Sequence, residues 1–152
     1  MITINLNMKK LTLITAMLGI VLVNGFGQVT VQSGASVHIQ NGANITIEGE
    51  LTLANGSNLA NNGIISIGNS SGLAADFTDN TITAYHYGSG QFIFNSTTNQ
   101  LIKCANTFER IDVDAGSLTL ASNIIANKWY LIKGIIHTAS FIAIAAATLN
   151  WP

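Results

Sequence analysis

From Val29 onward the chain alternates apolar and polar positions in very short runs. These are Val29-Thr30-Val31, Val37-His38-Ile39, Ile45-Thr46-Ile47, Leu51-Thr52-Leu53 and Ile65-Ser66-Ile67. Small polar turns divide them: Ser33-Gly34-Ala35-Ser36, Asn41-Gly42-Ala43-Asn44, Asn55-Gly56-Ser57-Asn58 and Asn62-Gly63. A period of two sends the outer residues of each triplet to one face and the middle residue to the other. A strand that short cannot bury its own apolar face. It needs stacked copies of itself, which is the logic of a solenoid.

Residues 29–37 align with residues 51–59 at an offset of about 22 residues, within the range of periods that build solenoids. Three short strands fit in that offset, so the expected fold is all-β: a right-handed parallel β-helix with three faces. Thr30 is then expected over Thr52 and Thr46 over Ser66, all pointing outward with Asp112. Val29, Val31, Val37, Ile39, Ile45, Ile47, Leu51, Leu53, Phe92, Phe94, Ile111, Val113, Leu118 and Leu120 are expected to point inward. Glycines at the corners supply the positive φ that sharp turns need.

A second block repeats at about 19 residues, again a solenoid period. Its first series is Phe92-Ile93-Phe94, Ile111-Asp112-Val113 and Tyr130-Leu131-Ile132. The second is Leu101-Ile102-Lys103, Leu118-Thr119-Leu120 and Ile135-Ile136-His137. Phe108, Ile125 and Ile142 make the third. This register sets Glu109 beside Lys128 and Asp114 beside Lys133, pairs of opposite sign as neighbouring strands prefer. The less regular residues 73–90 read as a coil with a bulge or loop within one continuous stack. A β-sandwich is the rival architecture, but its strands run longer than three residues. Residues 141–149 have a helical look from their alanines; the series favours Phe141-Ile142-Ala143-Ile144 as one more strand.

Composition narrows the classes. The chain has 152 residues, with 9% charged, 48% hydrophobic and a formal net charge of -1. That argues against nucleic acid, which needs a basic stripe, and the periodic apolar content argues against disorder. The single cysteine, Cys104, excludes an internal disulfide framework and reads as a small buried hydrophobe.

The N-terminus reads as a secretory signal. Met8-Lys9-Lys10 is a positive start, residues 11–23 are apolar, and Gly25 and Gly27 precede a cut at Gly27–Gln28. Residues 1–27 are thus an upstream extension and signal peptide, and residues 28–152 the β-helix. The apolar run is short for a membrane span.

Residues 88–102, Gly-Ser-Gly-Gln-Phe-Ile-Phe-Asn-Ser-Thr-Thr-Asn-Gln-Leu-Ile, resemble a motif of large secreted surface proteins of Bacteroidota. There a Gly-Ser-Gly turn leads into a strand, then Asn, small residues, Gln and a second strand. Ile111-Asp112-Val113, Leu118-Thr119-Leu120 and Ser122-Asn123-Ile124 follow in the same order. The Gly-Phe-Gly-Gln junction is similar too. The resemblance implies an adhesin-like or matrix role, in proteins that end in a sorting domain for type IX secretion. The repeat runs up to Leu149-Asn150-Trp151-Pro152 without such a domain, so the expectation is an N-terminal fragment of a larger protein, partnered by downstream coils and prone to self-association when isolated.

Candidate chemistry is sparse. Asp112 and Asp114, with Asn95 and Lys133 on adjoining coils, could make a weak calcium or sugar site; paired surface charge explains them as well. Glu48 with Glu50, and Asp76 with Asp79, read as loop residues. His38, His86 and His137 lack ligand spacing. Tyr85-His86-Tyr87 could stack on a sugar, but reads better as an aromatic strand on the solenoid flank. Asn-x-Ser/Thr triplets at Asn44, Asn55, Asn69 and Asn95 are expected by chance in so Asn- and Ser-rich a chain. No catalytic, cofactor-binding or metal residue is assigned, and no enzyme activity or cofactor is expected. The leading function is an exported cell-surface structural or adhesive module, with a glycan or other surface ligand. The alternatives are the substrate-binding scaffold of a carbohydrate-active β-helix enzyme and, on the outward Thr30 and Thr52, an ice-binding solenoid.

Overall fold

Each alternating run forms a strand, and each Gly-containing corner ends one. In the computed structural model, residues 27–68, 75–83, 85–138 and 140–150 are described, the last six as backbone only. The signal segment, residues 1–26, lies outside them, as does Asn69.

The turns Gln32–Ala35, Gln40–Ala43 and Ala54–Ser57 are each closed by an N–H to carbonyl bond of 3.0–3.1 Å across four residues. Their third residues, Gly34, Gly42 and Gly56, have φ of +78°, +83° and +79°. That is the value a type II turn requires there, and L side chains rarely adopt it. Between the turns lie β1 (Val29–Val31), β2 (Ser36–Ile39), β3 (Asn44–Ile47), β4 (Leu51–Leu53), β5 (Asn58–Asn61) and β6 (Ile64–Ile67).

Further along come β7 (Phe77–Asp79), β8 (Gln91–Phe94) and β9 (Asn99–Lys103). The later coils are tighter, and their strands run through the corners: β10 (Thr107–Leu120), β11 (Ile124–His137) and β12 (Ala143–Asn150). Register shifts at Val113/Asp114 and Asp114/Ser117 mark one such corner, where extra residues let the strand bend.

Every pairing among these strands is parallel. That excludes the β-sandwich and makes the chain a parallel β-helix of about 6 turns. The first face stacks β1, β4, β7, β9 and the end of β10. The second stacks β2 on β5 and His86 on Thr107 at the start of β10. On the third, β3, β6 and β8 meet the middle of β10. β11 then lies along β10, and β12 along β11. The sequence alignment holds residue by residue: Thr30 sits over Thr52, Val37 over Leu59 and Thr46 over Ser66.

Inside runs a single core. Eleven of the fourteen residues expected to face inward are buried in it, Val31, Leu53, Phe94, Ile111 and Leu120 among them. Its widest part holds four touching rings, Phe77, Tyr87, Phe92 and Phe108, with centroids 4.6–5.9 Å apart. Burying a large apolar side chain stabilises by about 1.5–3 kcal/mol, and edge-to-face rings add to that.

Several expectations are corrected. Val29 and Ile45 are exposed and Val37 is only half buried. All three belong to the first described coil, whose inward residues meet another described coil on one side alone. In the tighter block Phe92 and Phe94 lie over Ile111 and Val113 as expected, and the other steps of the series slip by one residue or two. Ile111 faces Trp129 and Asp112 faces Tyr130; Leu120 faces Ile102; Phe108 faces Ala126; Leu118 faces Ile136. A one-residue slip exchanges the faces, so Trp129 is buried and Ile132 exposed. The strand expected at Phe141-Ile142-Ala143-Ile144 forms with shifted bounds: β12 begins at Ala143 and runs to Asn150. Tyr87 is inside the core rather than on the flank, and Asp79 is buried rather than a loop residue.

Candidate functional site

The corner between the second and third faces forms a polar line along the stack. It carries Asn41-Gly42, Asn62-Gly63, Ser89-Gly90, Glu109-Arg110 and Asn127-Lys128 on successive coils. Backbone packing forces glycine there: a Cβ on Gly63 would press on the carbonyls of Ala43 and Gln40, and one on Gly90 on the carbonyl of Gly63. With no side chain at those positions, the neighbouring polar groups rim a groove. Two shallow depressions of about 530 and 410 Å³ adjoin this line and meet at Asn41, Asn62 and Ser89.

The groove is held by hydrogen bonds between coils. Buried Asn61 accepts from the Gly63 N–H at 3.0 Å and donates to the Gln91 carbonyl at 3.1 Å. Asn62 Oδ1 accepts both the N–H and the hydroxyl of Ser89, each at 3.1 Å, which sets the orientation of its amide.

Its charges neutralise one another. Glu109 Oε1 accepts from Lys128 Nζ at 3.0 Å and Oε2 from Asn127 Nδ2 at 2.7 Å. Those two donors, Asn127 first, hold the Glu109 carboxyl below its ordinary value. Arg110 clasps Asp112 through Nε at 2.6 Å and Nη2 at 2.7 Å, and Gln91 Nε2 donates to the same carboxylate at 2.7 Å. Asp112 raises the Arg110 pKa in turn. The guanidinium lies 4.2 Å from the Tyr130 ring centroid, a cation–π contact.

Asp112 therefore departs from the expected exposed position. Ile111 and Val113 flank it in the core, and it occupies the other side of the strand, where Arg110 and Gln91 cover it. Asp114 is exposed and faces Lys133 in register, as expected; Asn95 is exposed on a neighbouring coil. The expected Glu109–Lys128 pair forms. Glu50 accepts from Gln28 and Thr52, while Glu48 is exposed. Thr30, Thr52 and Thr78 form one outward column that ends at Lys103. His38 borders the groove, and His86 lies 3.9 Å from Glu109.

A second polar constellation lies inside the helix, unforeseen from the sequence. Asp79 accepts from the Tyr87 hydroxyl and Asn106 Nδ2, and from the Thr81 N–H at 2.8 Å. Asn106 also donates to Thr81 Oγ1 and accepts from the Tyr85 N–H. Aligning Phe77-Thr78-Asp79 with Leu51-Thr52-Leu53 points Asp79 inward, and that parity was the available signal. Burial pushes Tyr85 and Cys104 each up to about 12, and pushes Tyr87 well up. Cys104 is thus a buried, protonated thiol, the small-hydrophobe role read from the sequence.

Among the described residues no three His, Cys, Asp or Glu side chains converge to hold a metal ion, and no helix is long and apolar enough to cross a membrane. No protein-family model, curated protein or solved structure matches the chain.

Proposed function

We propose that this chain is an exported cell-surface module with a structural and adhesive role, and that it carries out no catalysis of its own. The observation that carries the reading is the line of polar corner residues, with two adjoining depressions, set on a parallel ladder across successive coils. Such an arrangement offers an extended ligand many weak contacts in a line. The signal-like Met8–Gly27 segment and the resemblance to secreted Bacteroidota surface proteins support export. The groove carboxylates support binding over catalysis. Glu109 spends both oxygens on the Lys128 and Asn127 donors, and its lowered pKa is opposite to what a general acid needs.

Export and attachment test this reading. N-terminal sequencing of the protein from the producing cells is expected to start at Gln28. Cells lacking the gene are expected to lose attachment to their surface, restored by the wild-type chain. A cytoplasmic product that keeps Met1 or Met8, or unchanged attachment, overturns it.

The exposed apolar residues of the last described coils add self-association. Ile135, Phe141, Ile142 and Ile144 are exposed in the last described coils, and β12 pairs with β11 alone among the described strands. An unpaired edge with apolar residues and no charge invites a second copy. The isolated chain is expected to sediment as oligomers, and Ile135→Lys with Ile142→Lys to return it to monomer. Oligomers unchanged in that variant place the contact elsewhere.

A further inference from the structure

The geometry points to a ligand class for the corner groove: an uncharged linear polysaccharide lying parallel to the stack axis. The inference rests on the adhesive reading above and deepens it. Charge is the first argument. Arg110 is committed to Asp112 and Lys128 to Glu109, and every oxygen of the two carboxylates has a donor. A polyanion would find no free cation to replace its counterions, and a polycation no free carboxylate. What the groove offers a newcomer is amide and hydroxyl chemistry from Asn41, Asn62 and Ser89, matched to sugar hydroxyls.

Repeat length is the second argument. Parallel strands stack about 4.8 Å apart, close to the length of one pyranose in an extended chain. Five corners therefore span about 19 Å on that spacing, a short oligosaccharide. A polymer along the axis meets a corner position at each unit, with Asn41, Asn62 and Ser89 on the first three and the Glu109–Lys128 pair beyond them. Preorganisation is the third. Ser89 fixes the Asn62 amide before any ligand arrives, and close-packed glycine corners fix the backbone beneath. Less ordering entropy then opposes weak polar contacts.

Affinity electrophoresis of the full chain tests this, in gels containing a linear β-glucan, a mannan or a dextran, against gels containing polygalacturonate. Retardation by at least one uncharged polymer is expected, unchanged between low and high salt. Asn62→Ala with Ser89→Ala is expected to weaken it at least tenfold, and Asp114→Ala, outside the groove, to leave it unchanged. Thermal melting checks that both variants fold; Asn41→Ala replaces the double variant if that one does not. Retardation by polygalacturonate alone and abolished by salt, no retardation by any uncharged polymer, or retardation intact in the folded groove variant each overturn the inference. Loss of glycan binding with cell attachment preserved refutes the ligand class alone. Glycan binding with no effect of the gene on attachment refutes the adhesive role alone.

Discussion

Asp79→Ala is expected to destabilise the chain by about 4 kcal/mol, because each buried donor left without a partner costs about 1–3 kcal/mol. Three donors converge on that carboxylate: the Tyr87 hydroxyl, the Asn106 amide and the Thr81 N–H. All lie where water cannot substitute, since Asp79, Tyr87, Asn106 and Thr81 are each buried. Against a total stability of about 5–15 kcal/mol, that loss leaves a chain partly unfolded at ambient temperature. Asp79→Asn keeps the shape but turns one acceptor into a donor facing donors, and is expected to cost about half as much. Urea titrations with the exposed Asp114→Ala as reference decide it; a midpoint for Asp79→Ala equal to the reference refutes the account.

The same cluster sets an alkaline limit. Tyr85, Tyr87 and Cys104 all have raised pKa values in the folded chain, chiefly from burial. A raised folded pKa means that the folded state holds its proton more tightly than the unfolded one. Their contribution is full below the unfolded values of 9.0 for the thiol and 10.0 for the phenols, and is lost as pH rises toward about 12. Stability is therefore expected to hold up to about pH 9 and to fall above it, and Tyr87→Phe to flatten that fall.

The coil architecture was legible because its signal is local. Thr30 over Thr52 and Thr46 over Ser66 follow from triplets that admit one parity, with glycine corners marking where each ends. The later block is harder for a physical reason. Trp129, Tyr130, Leu131 and Ile132 are apolar on both parities, so alternation cannot choose which side faces the core. Bulk chooses instead: Trp129 fills the interior beside Ile111 and its Nε1 donates to the Ile144 carbonyl, which leaves Ile132 outside. The groove and the Asp79 cluster were hidden because their members meet across coils. Asp112 is buried only by Gln91 and by Arg110, itself laid on Tyr130 from the next coil. Asp79 looks impossible as an inward residue until Tyr87 and Asn106 arrive from other parts of the turn.

Phe77→Ala is expected to uncouple the two halves of the stack. Phe77 lies between Leu51 of the coil before and Ile102 of the coil after, and its ring touches Tyr87, Phe92 and Phe108. Removing a buried phenylalanine costs about 3–5 kcal/mol, a transfer loss plus the cavity left behind. In a solenoid that loss does not spread evenly. Stability is a sum of coil and neighbour–neighbour contributions, and this substitution strikes the interfaces on both sides of one coil. The first coils have the weaker claim to stand alone: Val29 and Ile45 are exposed there, and the four rings of the core cluster all belong to later residues. Both tryptophans, Trp129 and Trp151, belong to the later part of the chain. Trp129 is buried in β11, so its fluorescence reports the later coils, while far-ultraviolet circular dichroism reports all strands. In the wild type the two signals are expected to change together on adding urea. In Phe77→Ala the dichroism is expected to fall first, as the early coils melt, and the fluorescence later. Coincident curves in the variant, shifted by less than about 1 kcal/mol where a core truncation costs several times that, would show that coupling along the stack does not pass through this ring.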